Sequence, residues 1–310
     1  MKVSALAVVG LLVMTGCGTE TAPPAVEQAS PAEEWVAPEN LFGGCILTTP
    51  VGEVPEDLYQ VTAVVPADEI PPFTKKLTVY GLTLAAKDDA GDDFMMLVAR
   101  TITEIFPRDE NLDLAKQEEV LRNHYLHRAL IPVPVGEDMS FFEEDRETFM
   151  LLASQNSICD IIMSDVPGQV MEVVEHILHF VSDTGLHFAF PAEWGISQDS
   201  EIAIAMNEAI EKGYYEIEQY DEFEDEEEHL RVLIQEFAYW VISTYWDLQE
   251  AYGPVGEAEW NIVTAAELDE KMPALFDMIE RTVGTIMVAP NLETLQEIGP
   301  TRAEERAARK

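Results

Sequence analysis

Two stretches of this chain carry side chains that can do chemistry together. The first, Gln169 to Asp183, reads QVMEVVEHILHFVSD. Apolar residues at 170, 174, 177, 178 and 181 recur at helical spacing and form one face. Glu172, Glu175, His176, His179 and Asp183 follow in steps of 3, 1, 3 and 4 and share the other face. Imidazole nitrogens and carboxylate oxygens are ordinary Zn²⁺ ligands, so this face can converge on one divalent cation. A solvated polar stripe on an amphipathic helix has the same spacing. Both readings stay open at this point.

The second stretch, Leu230 to Leu248, reads LRVLIQEFAYWVISTYWDL and is apolar on most sides, which predicts a largely buried helix. Glu236 sits near its middle, flanked on its own face by Val232, Tyr239 and Trp240. An unpartnered buried carboxylate is costly or takes up a proton. No cation stands three or four residues away, and Arg231, five back, points to another side. A metal held by the first stretch is one candidate partner. The alternative is a narrow polar stripe open to water: His229, Glu236 and Ser243 recur every seven residues, with Asp247 near the same line. Glu236 then needs no partner.

The elements that must position these residues are legible in outline. Lys76 to Ala86 (KLTVYGLTLAA) alternates and reads as a strand. Asp92 to Phe106 has apolar residues at 95, 98, 102 and 105–106 and acids in its first turn, which predicts a helix. Ala129 to Val135 (ALIPVPV) is β-like but holds two prolines, so it reads as an edge strand or extended segment. Phe149 to Ser154 and Ile158 to Met163 are short apolar runs. Beyond Gly168 the pattern is helical, near 168–183, 199–213, 227–249 and 273–287. A few strands followed by a run of helices indicates an α+β fold with a small N-terminal sheet.

Composition bounds the function. Asp plus Glu number 59 against 18 Lys plus Arg, a formal net charge of −41. That excludes a nucleic-acid phosphate binder, which needs a positive surface. It also argues against docking through a basic patch on anionic lipid. The 47% of apolar residues is too many for a disordered acidic tail.

The N-terminus reads as an address. Met1 to Cys17 (MKVSALAVVGLLVMTGC) has Lys2 as a positive n-region and an apolar stretch, Ala5 to Met14, too short to span a bilayer. Gly18 to Asn40 is rich in Pro, Ala and Glu and reads as a disordered tether. A folded body is expected over 41–300, with residues 301–310 as a fraying tail. With Cys17 committed to the leader's end, Cys45 and Cys159 are a candidate disulfide in an oxidising compartment, two free thiols being the alternative.

Other groups rank lower. Asp109, Asn111 and Asp113 match the start of a calcium loop, but Leu114 stands where the turn glycine belongs, so a helix-capping loop is favoured. Lys87 to Asp93 reads as a turn and N-cap. The run Asp221 to Glu228 reads as solvated acids. His124, His127 and His187 carry no assignment, although His187 lies within reach of the first stretch.

Three resemblances add to this reading. Met14-Thr15-Gly16-Cys17 resembles the lipobox of bacterial lipoproteins. That implies cleavage after residue 16, acylation of Cys17 and, with Gly18 following, an outer-membrane address. The segments EHILHFVSDTGL, QEFAYWVISTYWDL, TVYGLTLAA and RALIPVPVG resemble a family of uncharacterised exported proteins with E-H-x-L-H and E-[FY]-x-Y-W motifs. The order of elements is similar, remotely, to the zincin metallopeptidases of the anthrax lethal factor type. That likeness implies a zinc-dependent peptidase or related hydrolase acting on a peptide or protein. It departs from H-E-x-x-H, in which both His bind metal and Glu is the base. Here the order is Glu175-His176-Ile177-Leu178-His179. Either Glu175, His179 and Glu236 hold the metal with His176 in the place of the base, or His176 and His179 both bind and Glu175 serves as base or supporting group. A non-catalytic binding or scaffold lipoprotein of the same fold, or an acidic cation-binding protein, are the rival expectations.

Overall fold

The computed structural model describes residues 48–220, 223, 225–254 and 259–308. Its sheet begins with alternation. In β2 (Lys75–Val79) and β3 (Leu82–Ala86), Leu77, Val79, Leu82, Leu84 and Ala86 point to one core, whereas Ala85 packs on the other face. The stretch expected to be one strand is therefore a hairpin. Tyr80 and Gly81 turn the chain with φ of 50° and 87°, and Val79 pairs with Leu82 across them. Two positive φ values are what a two-residue hairpin requires. Gly81 is also needed for space, since a Cβ there would lie 2.8 Å from His124 Cβ.

The four strands lie in the order β1 (Val65–Pro66), β2, β3, β4 (Leu130–Pro132), antiparallel except for the parallel β3–β4 pair. The proline-bearing β4 is an edge with a purpose. Toward β3, Thr83 donates to Ala129 O and Val133 to Ala85 O. On the other side Leu130 donates to Ser157 O, and Pro132 and Pro134 only accept, from Ile162 and Ser164 at 2.9 Å each. Prolines lacking N–H thus face a segment, 157–164, that supplies the donors.

Helices cover both faces. α1 (Asp92–Ile105) and α2 (Leu114–Leu126) follow the hairpin, and α3 (Ser140–Glu143) and α4 (Arg146–Ala153) follow β4. The α3–α4 pair closes a small core of Phe73, Phe141, Phe149, Leu130 and Ile161 on one face of the sheet. The large core lies on the other face. It is filled by α1, α2, α5 (Gln169–Val181), α6 (His187–Ala189), α7 (Pro191–Trp194), α8 (Glu201–Glu211) and α9 (Glu226–Tyr245). α10 (Leu248–Tyr252), α11 (Ala265–Lys271), α12 (Pro273–Arg281), α13 (Val283–Ile286), α14 (Leu292–Ile298) and α15 (Arg302–Ala308) complete an α+β fold.

Several boundaries depart from expectation. The helix expected over 168–183 gives way after Val181 to a π-helical turn, Ser182–Leu186. The one expected over 273–287 breaks at Thr282, which lies outside the helical region at φ −114° and ψ −84°. The 227–249 helix ends at Tyr245, and Asp247, with φ 57°, starts the next. Residues 302–308, expected to fray, are helical. Asp109, Asn111 and Asp113 form a capping loop: Asp113 accepts from Lys116 N and Asp109 from Asn111 N. The leader, Cys17, the tether and Cys45 lie outside the described residues. Among the described residues no helix is long and apolar enough to cross a membrane.

Candidate metal centre

α5 and α9 pack side by side. The apolar stripe of α5 enters the core: Val170, Val174, Ile177, Leu178 and Val181 are buried. Its opposite face meets α9 and segment 157–164 instead of water. His179 is fully buried and His176 keeps 12% of its side-chain exposure, which excludes a solvated stripe. The water-open stripe on α9 is likewise excluded. Ser243 is buried and bonded to Tyr239 O and Gln249, and Glu236 retains 16% side-chain exposure.

His179 organises the centre. Its Nδ1 is 2.8 Å from Asp160 Oδ2, a hydrogen bond, and its Nε2 lies 3.5 Å from Glu236 Oε2 without one. Ligand atoms of Glu175, His179 and Glu236 lie within 4.8 Å of one another, as do those of Asp160, His176 and His179. Such groups can hold a metal ion, and in the first a carboxylate, that of Glu236, faces the bare ring nitrogen. Asp160 supplies what a ligating histidine generally has, a carboxylate on its other nitrogen. His176 sits between Asp160, 3.6 Å from its Nε2, and Glu172, 3.2 Å from its Nδ1.

The charges of this pocket are mutually dependent. Burial raises the Glu175 carboxyl to about 7, and the Glu236 and Asp160 charges add to that against the two histidines. Burial works against protonation of His176, but Asp160, Glu172 and Glu175 outweigh it and raise its pKa to about 9. His179 is raised well above its usual value against the same burial, by Glu236 and Asp160. Asp160, which burial alone would raise, is held below its usual value by His176 and His179. Protons on the histidines are one way to balance these carboxylates, and a divalent cation is another.

The structure thus brings together all four expected residues, Glu175, His176, His179 and Glu236. It adds Asp160, hidden in the run Ile158 to Met163, where the signal was a lone carboxylate amid Ile, Cys, Ile, Ile and Met. Glu172 is fixed by accepting from Met163 N at 2.7 Å. Tyr239 stands edge-on to His179, ring centroids 6.1 Å apart, close enough to Glu175 for that carboxylate to raise its hydroxyl's pKa on top of burial.

Other residues fall outside the donor groups. Asp183 was expected on the polar face with the ligands. In the π-turn it is buried, and burial raises it to about 7 against the charges of Arg231 and His179. The charge of Arg231 reaches Asp183 and His187 and acts to lower the pKa of both. His187 does not join the cluster: its Nδ1 accepts from Ile196 N at 3.0 Å. His124 and His127 are structural, bonded to Tyr80 O and Thr48 O. Cys159 is buried and disulfide-bonded.

Beside Glu236, Glu259 accepts from Trp240 Nε1, Gln219 Nε2 and the Tyr220 hydroxyl. No family model, curated protein or solved structure matches the chain.

Proposed function

We propose that this chain is a membrane-anchored envelope lipoprotein whose domain holds one zinc ion through Glu175, His179 and Glu236. Its reaction, on this reading, is hydrolysis of a peptide or related bond. One observation carries the metal assignment. His179 Nε2 is buried with no hydrogen-bond partner, faces Glu236, and belongs to a ring whose other nitrogen is already held by Asp160. Three protein ligands of N and O type match the ligand count of catalytic rather than of four-ligand structural zinc sites. Bound there, zinc supplies a Lewis acid and a water of lowered pKa.

The ligand order supports a zincin-like arrangement with exchanged roles. Glu175 and His179 occupy the i and i+4 positions that two histidines hold in H-E-x-x-H. His176 occupies the place of the general base, between Asp160 and Glu172. The protein's own groups thus orient the ligands and hold a proton one residue from the first of them.

The test is metal analysis of the purified chain, followed by hydrolysis of a peptide library. One zinc per chain and cleavage abolished by chelation are expected. Zinc without cleavage leaves a binding or scaffold protein, and weak uptake of many calcium ions leaves an acidic cation-binding one. For the anchor, Cys17→Ala should move the protein from the membrane fraction to the soluble fraction.

A further inference from the structure

Asp160 does not arise from either helix that carries the donor set. It lies on segment 157–164, which the sheet edge holds: Leu130 N donates to Ser157 O, and Ile162 N donates to Pro132 O, each at 2.9 Å. One carboxylate oxygen, Oδ2, reaches both His179 Nδ1 at 2.8 Å and His176 Nε2 at 3.6 Å. Its other oxygen accepts from Ile161 N at 2.8 Å. The carboxylate is therefore fixed in its own backbone before it meets either ring. The residue before it, Cys159, is buried and disulfide-bonded.

A second clamp acts nearby. Thr48 N donates to Ser157 Oγ at 3.1 Å, and Thr48 Oγ1 donates to His127 O at 2.9 Å. The N-terminal part of the described chain is thereby stapled to the same segment, two residues before the disulfide.

We infer that Asp160 is a positioning residue, which fixes the ring of His179 so that Nε2 faces Glu175 and Glu236, and that the disulfide at Cys159 keeps Asp160 in that place. An imidazole free to flip would present either nitrogen to the carboxylates. A carboxylate bonded to Nδ1–H leaves only Nε2 for them. The sheet, through its proline-bearing edge, thus acts on a metal centre built on two helices. The metal part of this inference rests on the zinc reading above, and the orientation of the ring does not.

The test therefore has two arms. In the first, histidine-labelled, metal-free protein is examined by ¹⁵N NMR, with His179 assigned by its loss in His179→Gln. Wild type should show a hydrogen-bonded Nδ1–H, which Asp160→Asn and Cys159→Ser should both lose or broaden. In the second, Zn²⁺ and Co²⁺ are titrated against a chelator. Asp160→Asn should bind 10- to 100-fold more weakly with an altered Co²⁺ absorption band, and Asp160→Glu should recover part of the affinity. Cys159→Ser should weaken binding in the same direction. If Cys159→Ser does not fold, Asp160→Asn decides alone. An unchanged Nδ1–H signal in Asp160→Asn overturns the positioning role. An unchanged signal in a folded Cys159→Ser overturns the role of the disulfide. Absence of metal binding in wild type, with the NMR result as expected, overturns the zinc reading and leaves this one standing.

Discussion

His179 meets Glu236 across the packed pair α5 and α9, Nε2 to Oε2 at 3.5 Å, with neither atom's approach satisfied by a hydrogen bond between them. A buried ring nitrogen left bare beside a carboxylate is uncommon, because the loss of both hydration shells has to be offset. A proton shared between the groups or a cation held by both achieves this.

Removing either partner should therefore remove the metal. His179→Gln and Glu236→Gln are expected to weaken zinc binding by at least 100-fold, as losses of direct ligands, while the chain stays folded. Glu172→Gln, which removes a neighbour of His176 outside the ligand set, should change it by less than 10-fold. Competition against a zinc chelator, with circular dichroism as the control for folding, measures both effects. Equal losses in all three variants would place the ion elsewhere.

Zinc and protons should compete. A ligating carboxyl must be ionised, and burial holds Glu175 at about 7. Affinity should fall as the pH drops through 7, with the Glu175 proton released on binding near and below pH 7, where the free carboxyl still holds it. Calorimetry in buffers of different ionisation enthalpy reads that release directly. A pH-independent affinity between 6 and 8 would remove both Glu175 and His179 from the ligand set.

Stability should carry a separate histidine signature. His124 is fully buried, its Nδ1 donates to Tyr80 O at 3.2 Å, and burial lowers its pKa from 6.5 to about 4. The unfolded chain binds this proton first, so the contribution is complete above pH 6.5 and lost as the pH falls toward 4. By pH 4.5 the loss amounts to roughly 2 kcal/mol. The stability advantage of wild type over His124→Gln in urea melts should accordingly shrink between pH 7 and pH 4.5. A constant difference would contradict this.

Gly185 in the π-turn tests how tightly α2 and the end of α5 are packed. A Cβ there would lie 2.7 Å from Val120 Cγ1 and 2.9 Å from His124 Nε2. Gly185→Ala should lower the unfolding free energy by about 1–3 kcal/mol, as overpacking does in other cores. An equally stable variant would mean that Val120 and His124 yield without cost.

What the sequence determined by itself was periodic and local. Spacing put Glu175, His176 and His179 on one helical face, and an apolar surround marked Glu236 as a carboxylate that needs a partner if it is buried and none if its stripe is open to water. The alternation in 76–86 announced strand, but the turn within it depends on two positive φ values at Tyr80 and Gly81. Tertiary structure alone decided that the polar face of α5 meets α9 and not solvent, because side-by-side packing is not encoded in either helix's period. It alone supplied Asp160, since the parallel bridging of 157–164 to β4 joins residues with no common repeat in the chain. It also moved Asp183 out of the cluster, by widening the helix one residue before it. Helical spacing fixes which side chains share a face, and packing then fixes what that face meets.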